Sequence, residues 1–395
     1  MKISLLLKRE PFFKILIETL ESYFKLTYNK DVNLKIKKRS LFGTSNNKLF
    51  CNSKINVFFT KNNSEDQFGQ IVKEYSHNPN IIKKWLQIIY LKLAVNFPFA
   101  KYYSDFSLTI TPFFEELNNF LIYGGNHRIR IIDYKNNRSV VILKVGSRPS
   151  FLTNEIELRN ENRLNGIPKL LEFNEEQRWF TEEIISGTPI NRTSSTNIVD
   201  NSFLKAIEIL ENLQNRSKES LCIDSYIKEL SKEIDEIILN KIFDSIREGV
   251  LDLKKILIEK IGRQSDRLNI SLTHGDFQAA NILFEGSKVW LIDWENAKKR
   301  NINYDYLTFL TDARTISIFK KSFIILFNRS EDNLKNDYPY LSFSLPIKLS
   351  LKIFLIENLI FALEQNNNEN FYDIDDYLTQ YIQLTTAILN EIDNE

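Results

Sequence analysis

Cysteine, histidine and glycine are all scarce in this 395-residue sequence, at 2, 3 and 11 copies. Two thiols, Cys51 and Cys222, exclude a disulfide framework. Three histidines beside two cysteines are little material for an ordinary His/Cys zinc site, and none is expected. With so few glycines, an adjacent pair needs its own explanation. An excess of one charge is missing as well: 52 basic against 51 acidic residues give a net charge of +1. That argues against a whole-chain nucleic-acid binder, which needs a strong basic surplus. Long apolar runs are absent too. The longest, Phe343 to Leu363, is interrupted by Lys348, Lys352 and Glu357 and contains Pro346, whereas a bilayer span needs about 20 nearly uncharged residues. Met1 to Glu10 holds too short an apolar core for a signal peptide, so a cytoplasmic location is expected.

What is present describes a globular chain, with 43% hydrophobic and 26% charged residues. Its length predicts two or three domains. Charge is unevenly spread: residues 1–60 carry 12 Lys/Arg and 4 Asp/Glu, a local excess that suggests a surface for an acidic partner, an anionic lipid surface or a phosphorylated substrate. Phe12, Phe13, Leu16, Leu20, Tyr23 and Phe24 form a helical stripe. Val32, Leu34 and Ile36 alternate like a strand, Val57 to Phe59 is another short strand, and a helix is expected from Ile81 to Asn96, before Pro98. Residues 1–104 are therefore expected to form a basic α+β extension of their own.

From 105 to 187 the signals turn to strands. Phe120 to Tyr123, Gly124-Gly125-Asn126, Arg128 to Asp133, a polar turn at Lys135-Asn136-Asn137 and Val140 to Val145 read as three strands joined by two turns. Phe151 to Leu164 suits a helix and Arg178 to Ile185 a further strand. From 188 to 395 the periodicity is mainly helical, with candidates at Ser202 to Gln214, Ile223 to Gly262, Ser350 to Glu364 and Asp376 to Leu389.

One segment carries chemistry: Leu272-Thr-His-Gly-Asp-Phe-Gln-Ala-Ala-Asn-Ile-Leu283, followed by Val289-Trp-Leu-Ile-Asp-Trp-Glu295. Asp276 is followed five positions later by Asn281, and an apolar, strand-like run then ends at Asp293. A loop bearing an Asp and an Asn, closed by a hairpin that returns a second Asp, gathers two carboxylates and an amide. Phosphoryl transfer uses such a set, with one Asp to orient and deprotonate the attacking hydroxyl and an Asn and Asp to hold Mg²⁺ on the phosphates.

This segment resembles the signature of the aminoglycoside phosphotransferase and choline kinase superfamily. The resemblance runs from about Phe120 to Leu363 and is strongest at 272–305. It implies an α+β, protein-kinase-like fold of two lobes: a small antiparallel-sheet lobe at 105–187, and a large, mainly helical lobe at 188–395. On that reading Asp276 is the catalytic base, and Asn281 and Asp293 are the metal ligands. ATP and Mg²⁺ are the expected cofactors, and the acceptor is a hydroxyl of a small molecule. Asp305, after Tyr304, takes the family's structural position. Gly124 and Gly125 are the candidate phosphate loop, and Lys144, at the end of Val-Val-Ile-Leu-Lys, the phosphate-contacting lysine. Glu155 is its expected helix partner, with Glu157 as the alternative. Glu182, Glu183 and Ile184 are the candidate adenine-binding hinge. Glu295, Asp305, Asp312 and Glu357, or the rings of Trp294, Tyr304 and Tyr306, are candidates to face an acceptor. The Gly-Gly pair in place of GxGxxG and the Asp-Trp-Glu in place of Asp-Phe-Gly depart from protein kinases. A nucleotide-binding pseudokinase or scaffold acting through the N-terminal extension is the alternative reading.

Overall fold

The computed structural model describes residues 2–38, 48–60, 68–69, 71–72, 75–76, 80–96, 99–161, 164–372 and 374–393. The chain divides into two compact units, Met1–Ser202 with Leu283–Trp290, and Phe203–Ile282 with Leu291–Glu395.

Unit 1 opens with helices α1 (Ile3–Arg9) and α2 (Phe12–Tyr28). Strands β1 (Asn33–Lys38), β2 (Lys48–Asn52) and β3 (Val57–Thr60) follow, then α3 (Ile81–Val95), α4 (Ala100–Tyr103) and β4 (Phe106–Thr111). The chain continues with β5 (Phe120–Gly124), β6 (Arg128–Asp133), β7 (Arg138–Leu143), α5 (Ser150–Glu161), β8 (Leu170–Asn174) and β9 (Trp179–Glu183). These nine strands make one antiparallel sheet in the order β1-β4-β2-β3-β5-β6-β7-β9-β8. The boundary expected at 104/105 is therefore not a domain boundary. Val57 of β3 pairs with Tyr123 of β5, so the basic extension and the strand region share a single sheet.

The two faces of that sheet are covered differently, and alternation along each strand decides which side chain goes where. Helix α2 lays Phe12, Leu16, Leu20, Tyr23 and Phe24 against Ile129, Ile131, Val140, Ile142 and Trp179. Its end is a left-handed Asn29 whose N–H bonds the Phe24 carbonyl. The opposite face presents Val141, Leu143 and Phe180 to Phe151, Leu152 and Ile156 of α5. Burying a large apolar side chain contributes roughly 1.5–3 kcal/mol, so the five α2 residues fix that helix as a permanent part of the core. A short strand β10 (Thr188–Pro189) completes this unit, pairing with β13 (Ile282–Glu285), which is followed by β14 (Lys288–Leu291).

Unit 2 is mainly helical. It holds α6 (Thr196–Ser217, which begins in unit 1), α7 (Ile223–Ile238), α8 (Arg247–Ile261), α9 (Tyr304–Leu310), α10 (Ile316–Phe327), α11 (Glu331–Asp337), α12 (Ile347–Asn366) and α13 (Ile374–Asp393). The helix expected over 223–262 is two helices, separated by a short 3₁₀ turn at Lys241–Phe243. Helix α12 is buried along most of its length because α7, α8 and α13 pack around it. No helix among the described residues is long and apolar enough to cross a membrane. A small antiparallel sheet, β11 (Glu219–Cys222), β12 (Arg267–Thr273) and β15 (Lys298–Asn301), carries the motif loop at the end of β12.

Candidate active site

In unit 2 the loop after β12 is held by two buried polar side chains, Asp305 and His274. Asp305, at the start of α9, accepts the backbone N–H groups of His274 at 2.7 Å and Gly275 at 2.9 Å. Burial pushes its carboxyl above the ordinary value, against the pull of His274, the two N–H groups and Arg300. His274 is buried, and its Nδ1 accepts the Asp276 N–H at 3.2 Å. Its proton therefore sits on Nε2, which donates to the Ile292 carbonyl at 2.9 Å. The ring thus braces the motif loop against the segment leading to Asp293, the bracing role its position suggests. Gly275 has φ +82°, and a Cβ there would lie 2.1 Å from the Asn296 carbonyl oxygen. No other residue fits at 275.

Asp276 projects from this brace. Its Oδ2 accepts Gln278 Nε2 at 2.8 Å and Asn281 Nδ2 at 3.1 Å, and Asn281 Nδ2 also donates to the Asp276 carbonyl at 2.9 Å. Asn281 sits in a single 3₁₀ turn, and its carbonyl accepts the Ile292 N–H at 3.1 Å. That bond ties the residue before Asp293 directly to Asn281. Asp293 itself adopts a left-handed backbone, φ 73° and ψ 56°, and starts the turn Trp294–Asn296. A non-glycine residue in that region is held there by its surroundings, here Trp294, which is fully buried with its indole N–H on the Leu291 carbonyl. The structure thus brings Asp276 and Asn281 into direct contact and ties Asp293 to them through one backbone bond.

A residue the sequence did not flag completes the set. Arg314 donates Nε to Asp276 Oδ1 at 2.8 Å, Nη2 to the Gly275 carbonyl at 2.6 Å and Nη1 to Asn358 Oδ1 at 2.6 Å, with its guanidinium 3.5 Å from the Phe361 ring centroid. It lies 38 positions from Asp276, beyond any local motif.

A divalent cation can be tested against these donors. Asn281 commits its amide NH₂ to Asp276, which leaves Oδ1 as its oxygen donor, and Asp293 supplies a carboxylate. Two hard oxygen donors suit Mg²⁺, which keeps waters and takes its other ligands from phosphates. Among the described residues no group of three or more His, Cys, Asp or Glu side chains could hold a metal. Asn281 Oδ1 and the Asp293 carboxylate are the residues of this loop pair that could hold a metal whose other ligands come from a substrate.

The unit 1 expectations need correction. Lys144 does not pair with Glu155. Its Nζ donates to Glu10 Oε1 at 2.5 Å and to the Asn126 carbonyl at 2.9 Å and lies 5.1 Å from the Phe12 ring, and the residue is only 1% exposed. Lys144 shares the α2 face with Val140 and Ile142, whereas Glu155 lies on the α5 face, bonded to Arg128 and Arg159. Glu157 is exposed. The glycine pair also has a packing cause: a Cβ on Gly124 would meet the Phe12 ring at 2.6 Å, and one on Gly125 the Arg128 carbonyl at 2.8 Å. In the hinge, Glu182 lies in register between Ser139 of β7 and Leu170 of β8, its carboxylate bound to Arg130 and Arg159. The Glu183 N–H is spent on the Lys169 carbonyl, so Ile184 is the first residue beyond the sheet.

Of the acceptor-facing candidates in unit 2, Asp305, Glu357, Trp294, Tyr304 and Tyr306 are buried in the fold and are structural. Glu295 is buried as well, and Asp312 is exposed.

No family model matches the sequence, and neither does any curated protein. Solved structures similar to this chain include a choline kinase from Streptococcus pneumoniae, at 19% identity and TM-score 0.40, covering 70% of this chain and 92% of that one. A choline/ethanolamine kinase family protein from Mesorhizobium loti matches at 12% identity and TM-score 0.44, over 75% and 92% of the two chains. An aminoglycoside phosphotransferase, solved with AMP-PNP and hygromycin B, matches at 11% identity and TM-score 0.45, over 69% and 93%. At these scores the function has to be read from the chain's own residues.

Proposed function

We propose that this chain is a small-molecule phosphotransferase of protein-kinase-like fold that moves the γ-phosphoryl group of ATP to a substrate hydroxyl. The carrying observation is the constellation Asp276, Asn281 and Asp293, in which one Asp and one Asn touch and a left-handed Asp follows the β13–β14 hairpin on a segment bonded back to their loop. Asp276 is the base: Arg314 fixes its Oδ1, and Oδ2 is the oxygen that takes the hydroxyl proton once Gln278 swings aside. Asn281 Oδ1 and the Asp293 carboxylate are the residues to hold Mg²⁺, which when bound would offset charge on the phosphates. His274 and Asp305 keep the loop in place without entering the reaction. The acceptor class is a sugar, amino-sugar or amino-alcohol.

Lys144 is removed from this assignment, since its charge is spent on Glu10 inside a core that α2 does not leave. Arg128 and Arg130, on the α5 face, are likewise bonded to the carboxylates of Glu155 and Glu182. The same observation favours the second reading, a nucleotide-binding scaffold without turnover. A Mg·ATP thermal-shift measurement followed by an acceptor screen that reads ADP release separates them. Stabilisation with acceptor-dependent ADP supports the enzyme; stabilisation without turnover for any acceptor supports the scaffold.

A further inference from the structure

Helix α3 is anchored only along part of its surface. Leu91, Ala94 and Val95 are buried, and Leu91 and Val95 pack with Val57, Phe59 and Leu121. Its first two turns carry Ile81, Ile82, Trp85, Leu86 and, one turn on, Ile89, all exposed, with Ile81 at 73% and Trp85 at 63%. At 100° per residue these five fall within a single face of the helix. An exposed tryptophan flanked by four exposed aliphatics on one face is a cost to a soluble surface unless something covers it.

The charges beside that face indicate what the cover is. Residues 81–104 hold four lysines, at 83, 84, 92 and 101, and no acidic residue. Lys83 and Lys84 flank the apolar face at its protruding end and are themselves exposed. The same unit carries the basic first sixty residues, 12 Lys/Arg against 4 Asp/Glu. An apolar face flanked by Lys83 and Lys84, with Trp85 among its aliphatics, matches the acyl boundary of a bilayer and the anionic headgroups above it.

We propose that α3 docks the protein on an anionic membrane surface, lying in the interface plane with Ile81, Ile82, Trp85, Leu86 and Ile89 in the headgroup–acyl boundary. Lys83 and Lys84 contact the lipid phosphates, and the basic N-terminal residues add long-range attraction that salt weakens. This docking is independent of the phosphotransferase reading.

The test uses the full chain and vesicle flotation, with vesicles of phosphatidylcholine alone and of phosphatidylcholine mixed with phosphatidylglycerol. Three proteins are compared: the unaltered chain, Trp85→Ser/Leu86→Ser, and Lys83→Glu/Lys84→Glu. All four altered positions are exposed, and circular dichroism checks that the fold is kept. The expected result is binding to the anionic vesicles at least about tenfold stronger than to the neutral ones, reduced by about tenfold in each double variant and by added salt. Binding to neither vesicle, equal binding to both, or binding that the Trp85/Leu86 variant retains would overturn the proposal. Loss of vesicle binding together with a dimer that the Trp85/Leu86 variant dissociates would assign the face to a second copy of the chain instead.

Discussion

Replacing Lys144 by Met decides whether that lysine belongs to a nucleotide site or to the core. Met nearly matches the volume of the lysine stem and keeps an apolar contact with Phe12, so the change removes little but the charge. The carboxylate of Glu10, itself buried, is then left without its cation. Breaking a buried ion pair from one side costs about 3–5 kcal/mol. For a unit of roughly 200 residues, each kcal/mol lowers Tm by about 2–4 °C, so a loss of about 10 °C is expected. Glu10→Gln alone should cost a similar amount, because it strands the ammonium. The double variant Glu10→Gln/Lys144→Met should recover much of the loss, since no buried charge remains. Differential scanning fluorimetry of the four proteins, with and without Mg·ATP, gives both stability and nucleotide binding. A Lys144→Met protein that melts within about 2 °C of the parent yet no longer responds to Mg·ATP would refute the reasoning and restore the phosphate-lysine reading.

Two further outcomes are expected from unit 2. Arg314→Gln removes a charge-assisted bond to Asp276 worth about 1.5–3 kcal/mol, so kcat should fall by about 10–100-fold while KM for ATP stays unchanged. Arg314→Lys should not restore it, because one ammonium cannot reach Asp276, Gly275 and Asn358 together. Burial pushes the Glu357 carboxyl up to about 7, against the Tyr226 hydroxyl, the Asn301 N–H and the nearby Arg300 and Lys298, which lower it. Folding therefore takes up a proton at this group between its ordinary value of 4.5 and about 7. Stability from it declines as pH rises through that window, by an upper bound of about 3 kcal/mol. Glu357→Gln, which keeps an acceptor for Tyr226 and Asn301, should flatten the difference in Tm between about pH 5 and about pH 8. An unchanged pH profile would contradict the assignment.

Much of this was legible in sequence because the signals were local. The helical stripe from Phe12, the strand at Arg128 to Asp133 and the five-residue spacing of Asp276 and Asn281 each depend on neighbours within a few residues; the helix and strand form there, and the two side chains of the loop touch. The structural role expected for Asp305 was legible from its place after Tyr304, and its two backbone bonds at His274 and Gly275 show it. What was misread depended on which face of a sheet a residue occupies. Lys144 directly follows the last residue of β7, but alternation sends it to the α2 side, and Glu10, 134 positions away, meets it there. The glycine pair carried the same ambiguity, because a ring from a remote helix demands a small residue as strictly as a phosphate does. The break between α7 and α8 leaves no local signal, because apolar spacing survives across the Lys241–Phe243 turn. Arg314 left no signal, since one arginine near a helix start is indistinguishable from a surface residue until its contacts are known.

The central claim, that Asp276 is the base of a phosphoryl transfer, is tested most directly by Asp276→Asn in a Mg·ATP turnover assay with the best acceptor from the screen. The amide keeps the side chain's shape and can still accept from Arg314, so the fold and the thermal shift with Mg·ATP should be retained. Acceptor-dependent ADP release should fall by at least about a hundredfold, within the usual contribution of a general base. Turnover equal to the parent protein, with nucleotide binding intact, would contradict the account.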